Sequence, residues 1–179
     1  MNMRLDHRIL IGGVVAMLLP ALSQAALSQA AAASAVPRAS IAFPLSDVVG
    51  PVRAGLLCLP NGNLHGRDFL RSDADLSVRL QDVMAEGDQT DLGTLTIRLQ
   101  ALSAKLCAKS WGVMGIGDRK ALSGKAEFAF AWSTDPTQSS PDKVTRITVR
   151  LGKGQAMPPD EIMQEALRRL VVEIRQQLP

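Results

Sequence analysis

The sequence predicts an α+β two-layer sandwich, in which a four-stranded mixed sheet carries two helices on one face. Residues 93–151 largely alternate apolar and polar side chains, as β-strands do. Two other segments repeat apolar residues with a helical period, and one short apolar run precedes the first of them. The predicted element order is therefore strand, helix, three strands and helix (β-α-β-β-β-α).

The first predicted strand covers residues 52–59, an apolar run bounded by Pro51 and by turn-forming residues at 60–63. The first predicted helix covers residues 73–86. Ser72 and the aspartates after it offer capping oxygens, and Gly87 supplies a stop. One face of this helix is apolar and is formed by Leu76, Leu80, Val83 and Met84.

The next three strands are predicted to form an antiparallel meander. The first begins at Gly93, and its alternation changes phase near Ala101 and Leu102, which predicts a β-bulge. The second presents an apolar face from Leu122 to Trp132, and the third covers residues 144–151.

A last helix is predicted to begin at residues 158–160, Pro-Pro-Asp. Its apolar stripe is broad enough that the helix must pack on the sheet. The stripe is formed by Ile162, Ala166, Leu167, Leu170, Val171, Ile174 and Leu178.

Residues 1–25 have the pattern of a cleavable secretory signal peptide. Arg4 and Arg8 form a basic start, and the uncharged run from residue 9 to residue 19 is too short to span a bilayer of about 30 Å. A repeated Ala-Leu-Ser-Gln-Ala leaves a later cut open, up to residue 35. Residues 26–40 are predicted to be a flexible Ala/Ser-rich tether and residues 41–179 a single domain. We expect an exported protein without a transmembrane segment in its mature chain, located in the periplasm or secreted to the medium.

The only two cysteines, Cys58 and Cys107, are predicted to form a disulfide, because export leads to an oxidising compartment. The long connection between the first two strands predicts parallel neighbours, which would bring both cysteines to one edge of the sheet. Two separately buried thiols are the alternative. Two thiols and one mature-chain histidine give neither the number nor the spacing of zinc ligands, so we expect no metal and no cofactor.

A polar loop after the first predicted strand holds the first candidate recognition residues, His65, Arg67 and Asp68. They lie at the mouth of a crossover, where α/β folds tend to bind ligands, and a plain surface loop is the alternative. No nucleophile elbow or metal partner accompanies the histidine, so a catalytic role is not predicted.

A glycine-rich loop at residues 111–120 holds the second set, Trp111, Met114 and Ile116. The glycine spacing is not that of a P-loop, and the segment is predicted to join two strands rather than to precede a helix. The simpler interpretation is a wide hairpin loop, whose apolar side chains would suit contact with a partner.

The formal net charge is +3, from 20 basic and 17 acidic residues. A charge this small, spread evenly along the chain, argues against a nucleic-acid partner. In the last helix, Arg168, Arg169 and Arg175 alternate with Glu165 and Glu173, which is typical of a solvated polar face.

The element order resembles that of small domains that Gram-negative envelope machines use as assembly or docking modules. This resemblance covers residues 50–179, lies in the architecture alone, and does not fix a function. Because the chain is predicted to be a small exported fold without catalytic residues, we expect a non-enzymatic periplasmic protein that binds another envelope component, such as an envelope protein, through sheet-edge or loop contacts. The alternative is a small-ligand-binding protein with a pocket between helices and sheet, and an enzyme ranks third. The sequence gives no oligomeric state.

Overall fold

A computed structural model describes residues 37–55, 57–87, 92, 95–108, 122–134, 143–152 and 155–178. The predicted signal peptide and residues 26–36 of the predicted tether lie outside the described residues. Buried apolar side chains from all parts of the described chain form one hydrophobic core.

The described residues form six strands and two α-helices in a two-layer arrangement. In chain order these are β1 (Arg38–Ile41), β2 (Val48–Ala54), β3 (Leu59–His65), α1 (Asp73–Glu86), β4 (Thr96–Ala108), β5 (Leu122–Ser133), β6 (Lys143–Leu151) and α2 (Pro159–Gln176). A short 3-10 turn, Gly66–Asp68, follows β3. The predicted α+β class with a mixed sheet and two helices is confirmed. The predicted number of strands and their order are wrong.

The sheet has the order β3-β2-β4-β5-β6, and β1 pairs with β4 outside this path. β5 pairs with β4 in antiparallel register along its whole length, so β1 and β2 share the other edge of β4. Both are parallel to β4, β1 at its start and β2 at its end. The predicted parallel pairing across the helical connection is therefore present between β2 and β4.

The predicted strand at residues 52–59 is in fact the end of β2, a turn and the start of β3. Gly55 and Cys58 lie in this turn with φ of +78° and +49°, in the left-handed region that reverses the chain. Apart from Arg53, residues 52–59 are apolar or glycine, so they show no period that could mark a turn inside the run. Residues 60–63, predicted to be a turn, belong to β3, where Pro60 is tolerated because β3 is an edge strand.

β1 starts at Arg38, so residues 38–40 are a strand rather than part of a tether. One side of β1 pairs with the start of β4. On the other side α1 supplies hydrogen bonds: Ser77 Oγ accepts from the Ala39 N–H at 3.2 Å, and Asp73 Oδ1 accepts from the Ile41 N–H at 3.0 Å. These contacts join residues more than 30 positions apart, so no local pattern predicts them.

β4 is the long, bent strand that the alternation predicts. Its register against β5 shifts between Leu99 and Ala101, which confirms the predicted bulge. β2 comes very close to β4 at Gly50, where a Cβ atom would lie 1.8 Å from the carbonyl oxygen of Ala104. Only glycine fits this approach.

β5 and β6 complete the predicted antiparallel meander. Alternate residues of β4, β5 and β6 are buried and join the apolar stripes of both helices in one core, so the two helices cover the same face of the sheet. Trp132 is fully buried there, and its Nε1–H donates to Thr145 Oγ1 at 3.0 Å.

Both helices have the predicted location. α1 has the predicted bounds, and Ser72 Oγ accepts the Asp75 N–H at 3.2 Å as its N-cap. The predicted stripe of α2 is buried, with Leu178 half-buried. Arg168 of α2 donates to both carboxylate oxygens of Glu86 in α1, at 2.9 and 3.3 Å. Neither helix of the described part of the chain is long and apolar enough to cross a membrane.

The predicted disulfide is confirmed. Cys58 and Cys107 are bonded, with their Cα atoms 5.6 Å apart. Cys107 pairs with Arg53 near the end of β2, while Cys58 lies in the turn after β2. The bond therefore ties the turn of the β2–β3 hairpin to β4.

Candidate functional site

The first predicted recognition residues form a turn that is tied to residues 45–47. The His65 ring Nδ1 lies 2.7 Å from the carbonyl oxygen of Ser46, and the backbone N–H of His65 donates to Asp68 Oδ2 at 2.8 Å. The Arg67 N–H donates to the Leu45 carbonyl at 2.8 Å. His65 and Asp68 thus form a capping box, in which each side chain contacts the other residue's backbone rather than its side chain. Arg67 and Asp68 are exposed.

The second predicted set, Trp111, Met114 and Ile116, lies outside the described residues. Among the described residues, no group of three or more His, Cys, Asp or Glu side chains could hold a metal ion.

The charges of this domain are strongly separated between its two layers. The six strands carry eight Lys or Arg residues and one acidic residue, Glu127. The two helices carry eight Asp or Glu residues and four Arg. A charge that is evenly spread along the sequence becomes a basic sheet layer and an acidic helix layer in the fold.

Most of the strand cations project from one side of the sheet, which we call the outer face. The outer face is the side opposite the helices, and it is exposed around Lys105, whereas Ala131 and Ser133 at its other end are buried. The side chains of β4 show the geometry, since Leu106 points into the core and Lys105 beside it is exposed. The cations of the outer face are Arg38, Arg53, Arg98, Lys105, Lys125 and Arg150.

Three of these cations stand directly opposite one another on adjacent strands. Lys105 of β4 pairs with Lys125 of β5, and Lys125 pairs with Arg150 of β6. We call these three residues the basic row. Neighbouring strands are about 4.8 Å apart, so the row places three positive charges within about 10 Å along the sheet. Like charges directly opposite in a sheet are destabilising.

Within the described strands, Glu127 is the single carboxylate that faces the basic row. It forms a salt bridge with Lys125 at 2.5 Å, with both side chains about half exposed. The hydrogen bond from Lys125, together with the positive charges of Lys125, Lys105 and Arg150, holds the pKa of Glu127 below its ordinary value. One carboxylate thus faces three cations, and the basic row keeps a net positive charge.

Arg53 extends the basic row onto β2. Its partner in the parallel register is Cys107, which follows Lys105 by two residues on the same face of β4. The disulfide from Cys107 to Cys58 holds the end of β2 against β4 beside the row. The bond therefore stabilises the part of the sheet that carries these cations.

The edges of the sheet are less suited to a partner than the outer face. Ser77 and Asp73 of α1 cover the free edge of β1. At the edge of β6, Arg169 Nη1 donates to the Thr148 carbonyl oxygen at 3.0 Å. Edge strand β3 contains Pro60 and pairs with β2 through two register shifts. Bonded side chains, prolines and bulges are devices that prevent strand addition.

A groove of about 520 Å³ lies beside β6 and α2. Charged side chains of both signs line it, and Arg169 is held there by Glu165 at 2.8 Å. The groove lies between α2 and β6, at the edge of the helix–sheet interface. Its charges are largely paired with one another, which distinguishes it from the basic row.

Comparison of the chain with protein-family models, with curated proteins and with solved structures gives no match in any of the three. The function is therefore inferred from this chain's own residues.

The number of charges along the sequence does not reveal the basic row. It becomes visible when charge is counted by strand face, because Lys105, Lys125 and Arg150 all occupy polar positions of the alternation in three predicted strands. The pairing that places them side by side depends on strand register, which the bulge in β4 shifts by one residue.

Proposed function

We propose that this protein is an exported, non-enzymatic binding protein of the bacterial envelope, and that it docks on a negatively charged envelope component through the outer face of its sheet. The observation that carries the proposal is the basic row, in which three cations stand opposite one another with a single carboxylate beside them. A polyanionic partner would neutralise charges that repel one another in the free protein.

Two further observations support a role in an oxidising compartment without catalysis. The disulfide between Cys58 and Cys107 fits an exported protein. The His65 ring bonds to a backbone carbonyl, and Asp68 caps the turn that follows. The side chains of His65 and Asp68 are not arranged as an acid–base pair.

The alternative, a pocket between helices and sheet for a small ligand, has weaker support. Large side chains fill the centre of that interface, where Phe69, Phe128 and Phe130 are each at most 1% exposed. Ring contacts join Phe128 to both of the others, with centroids 6.2 and 6.1 Å apart. Close packing of this kind leaves little room for a ligand.

Binding to isolated cell envelopes tests the proposal. The purified protein should bind saturably, and binding should weaken as salt is raised, because it rests on exposed charges. Lys105→Gln/Arg150→Gln should bind less. This variant should be about as stable as the wild type, because both side chains are exposed and each repels Lys125 but attracts Glu127, so a melting curve separates lost binding from unfolding. Undiminished binding by the variant would contradict the proposal.

Export is tested separately. The protein isolated from the periplasmic fraction should begin between Ala26 and Val36 when its N-terminus is sequenced. An intact Met1 in cells with working secretion would contradict export.

A further inference from the structure

The cations of the outer face form a two-dimensional array rather than a cluster around one point. The basic row runs across three strands, whereas Arg98 lies seven residues from Lys105 along β4. At about 3.3 Å per residue, the array extends about 20 Å along the strands. It extends about 10 Å from strand to strand, which is the length of the basic row. A single small anion would meet only part of it, whereas an extended charged surface would meet all of it.

The residues between the cations are small and polar or weakly apolar. Ala101, Ser103 and Ala129 occupy outward positions between the basic row and Arg98. Protein interfaces are anchored by aromatic or large apolar side chains in a desolvated centre, and single-stranded nucleic acids stack on aromatic side chains. The aromatic residues of the strands, Phe128, Phe130 and Trp132, are all buried on the helix side. Apart from Val144, which is 55% exposed near the start of β6, the described outer face thus offers charge without an apolar anchor or a stacking platform.

The helix layer has the opposite charge. Its acidic residues lie on the side of the domain away from the outer face. In the field of a negative surface, a domain charged in this way turns its sheet toward the surface and its helices away from it. The charge separation therefore fixes an orientation as well as an attraction.

Resting on the proposed function, we propose that the envelope component is the membrane surface itself, and that the outer face lies on anionic, phosphate-bearing lipid headgroups. The array of cations matches a surface on which negative charges recur in two dimensions. Contact of this kind is peripheral and reversible, since it needs no insertion of apolar side chains.

Sedimentation with lipid vesicles tests this inference. The purified protein should bind vesicles of phosphatidylglycerol and not vesicles of phosphatidylcholine, and added salt should release it. Each Lys or Arg near an anionic membrane contributes about fivefold to partitioning, so Lys105→Gln/Arg150→Gln should lower the partition coefficient about 25-fold.

The matched control is Arg71→Gln/Arg175→Gln. It removes the same total charge from exposed positions before α1 and within α2. It should bind phosphatidylglycerol vesicles almost as the wild type does. Equal losses in the two variants would show an effect of net charge alone and would overturn the proposed orientation.

Three other results would also overturn the inference. One is equal binding to both kinds of vesicle. A second is stronger binding to single-stranded DNA than to phosphatidylglycerol. A third is the absence of vesicle binding while salt-sensitive binding to intact envelopes persists and is abolished by protease treatment of those envelopes. This third result would leave the proposed function standing with an acidic protein as the partner, whereas loss of envelope binding altogether would overturn both.

Discussion

Removing the disulfide should destabilise the domain substantially without unfolding it. The bond between Cys58 and Cys107 closes a loop with a sequence separation of 49 residues, which contains β3, α1 and nearly all of β4. Chain-entropy reasoning for a loop of this length gives a stabilisation of about 4 kcal/mol. Domains of this size have a free energy of unfolding of about 5–15 kcal/mol, so the unbridged protein should still fold.

Urea unfolding of Cys58→Ala/Cys107→Ala and of the oxidised wild type measures this difference. The variant should lose up to about 4 kcal/mol, which corresponds to a fall in melting temperature of about 10–20 °C for a domain of this size. The wild type in the presence of a reductant is the control, and it should unfold close to the variant. Both should keep the secondary structure of the oxidised protein.

A difference of less than about 1 kcal/mol would refute the reasoning, because loop closure would then not limit the unfolded chain. Intact-mass analysis after alkylation under denaturing conditions provides an independent check. Two alkylated thiols in freshly prepared, unreduced protein would show that the bond does not form.

Three further predictions concern single side chains. Gly124→Ala places a Cβ atom 2.3 Å from the carbonyl oxygen of Lys105 at a φ of +132°, so urea unfolding should show a loss of about 3 kcal/mol or more. Thr145→Val leaves the buried Trp132 N–H without its acceptor, so the same measurement should show a loss of about 1–3 kcal/mol. If either variant unfolded at the same urea concentration as the wild type, the corresponding prediction would be contradicted. The pKa of Glu127 is lowered in the folded protein, so its contribution to stability is complete above its ordinary value of 4.5 and is lost as the pH falls through the lower, folded value. NMR titration should show this carboxyl protonating below 4.5, and in Lys125→Gln its pKa should rise.

The meander and the helices could be predicted from the sequence because their apolar positions recur with a single clear period. β4 is the best example, since even its bulge appears as a change of phase near Ala101. α1 is another, because Ser72 marks its start and its apolar residues lie on one face. In these elements the local pattern and the burial in the fold agree.

β1, β2 and β3 could not be predicted in this way, because contacts with distant residues determine them. The Ala- and Ser-containing β1 has a low propensity for strand and is held by β4 and by α1. β3 contains Pro60 and Gly62, residues that usually mark turns, and it becomes a strand through its pairing with β2. The turn between β2 and β3 is hidden inside an apolar run.

The candidate site was harder to predict than the fold, because it depends on which side of each strand a cation occupies. The electrostatic repulsion among the cations of the basic row is nevertheless evidence about its role. Lys105 and Arg150 are exposed, so core packing does not require a cation at either position. Their charges lie within a Debye length of Lys125, so salt at physiological strength does not fully screen the repulsion. Only Glu127 offsets it within the described strands. Folding alone would be served as well or better by neutral side chains in the basic row, whereas attraction to a negative surface requires the cations that the row contains.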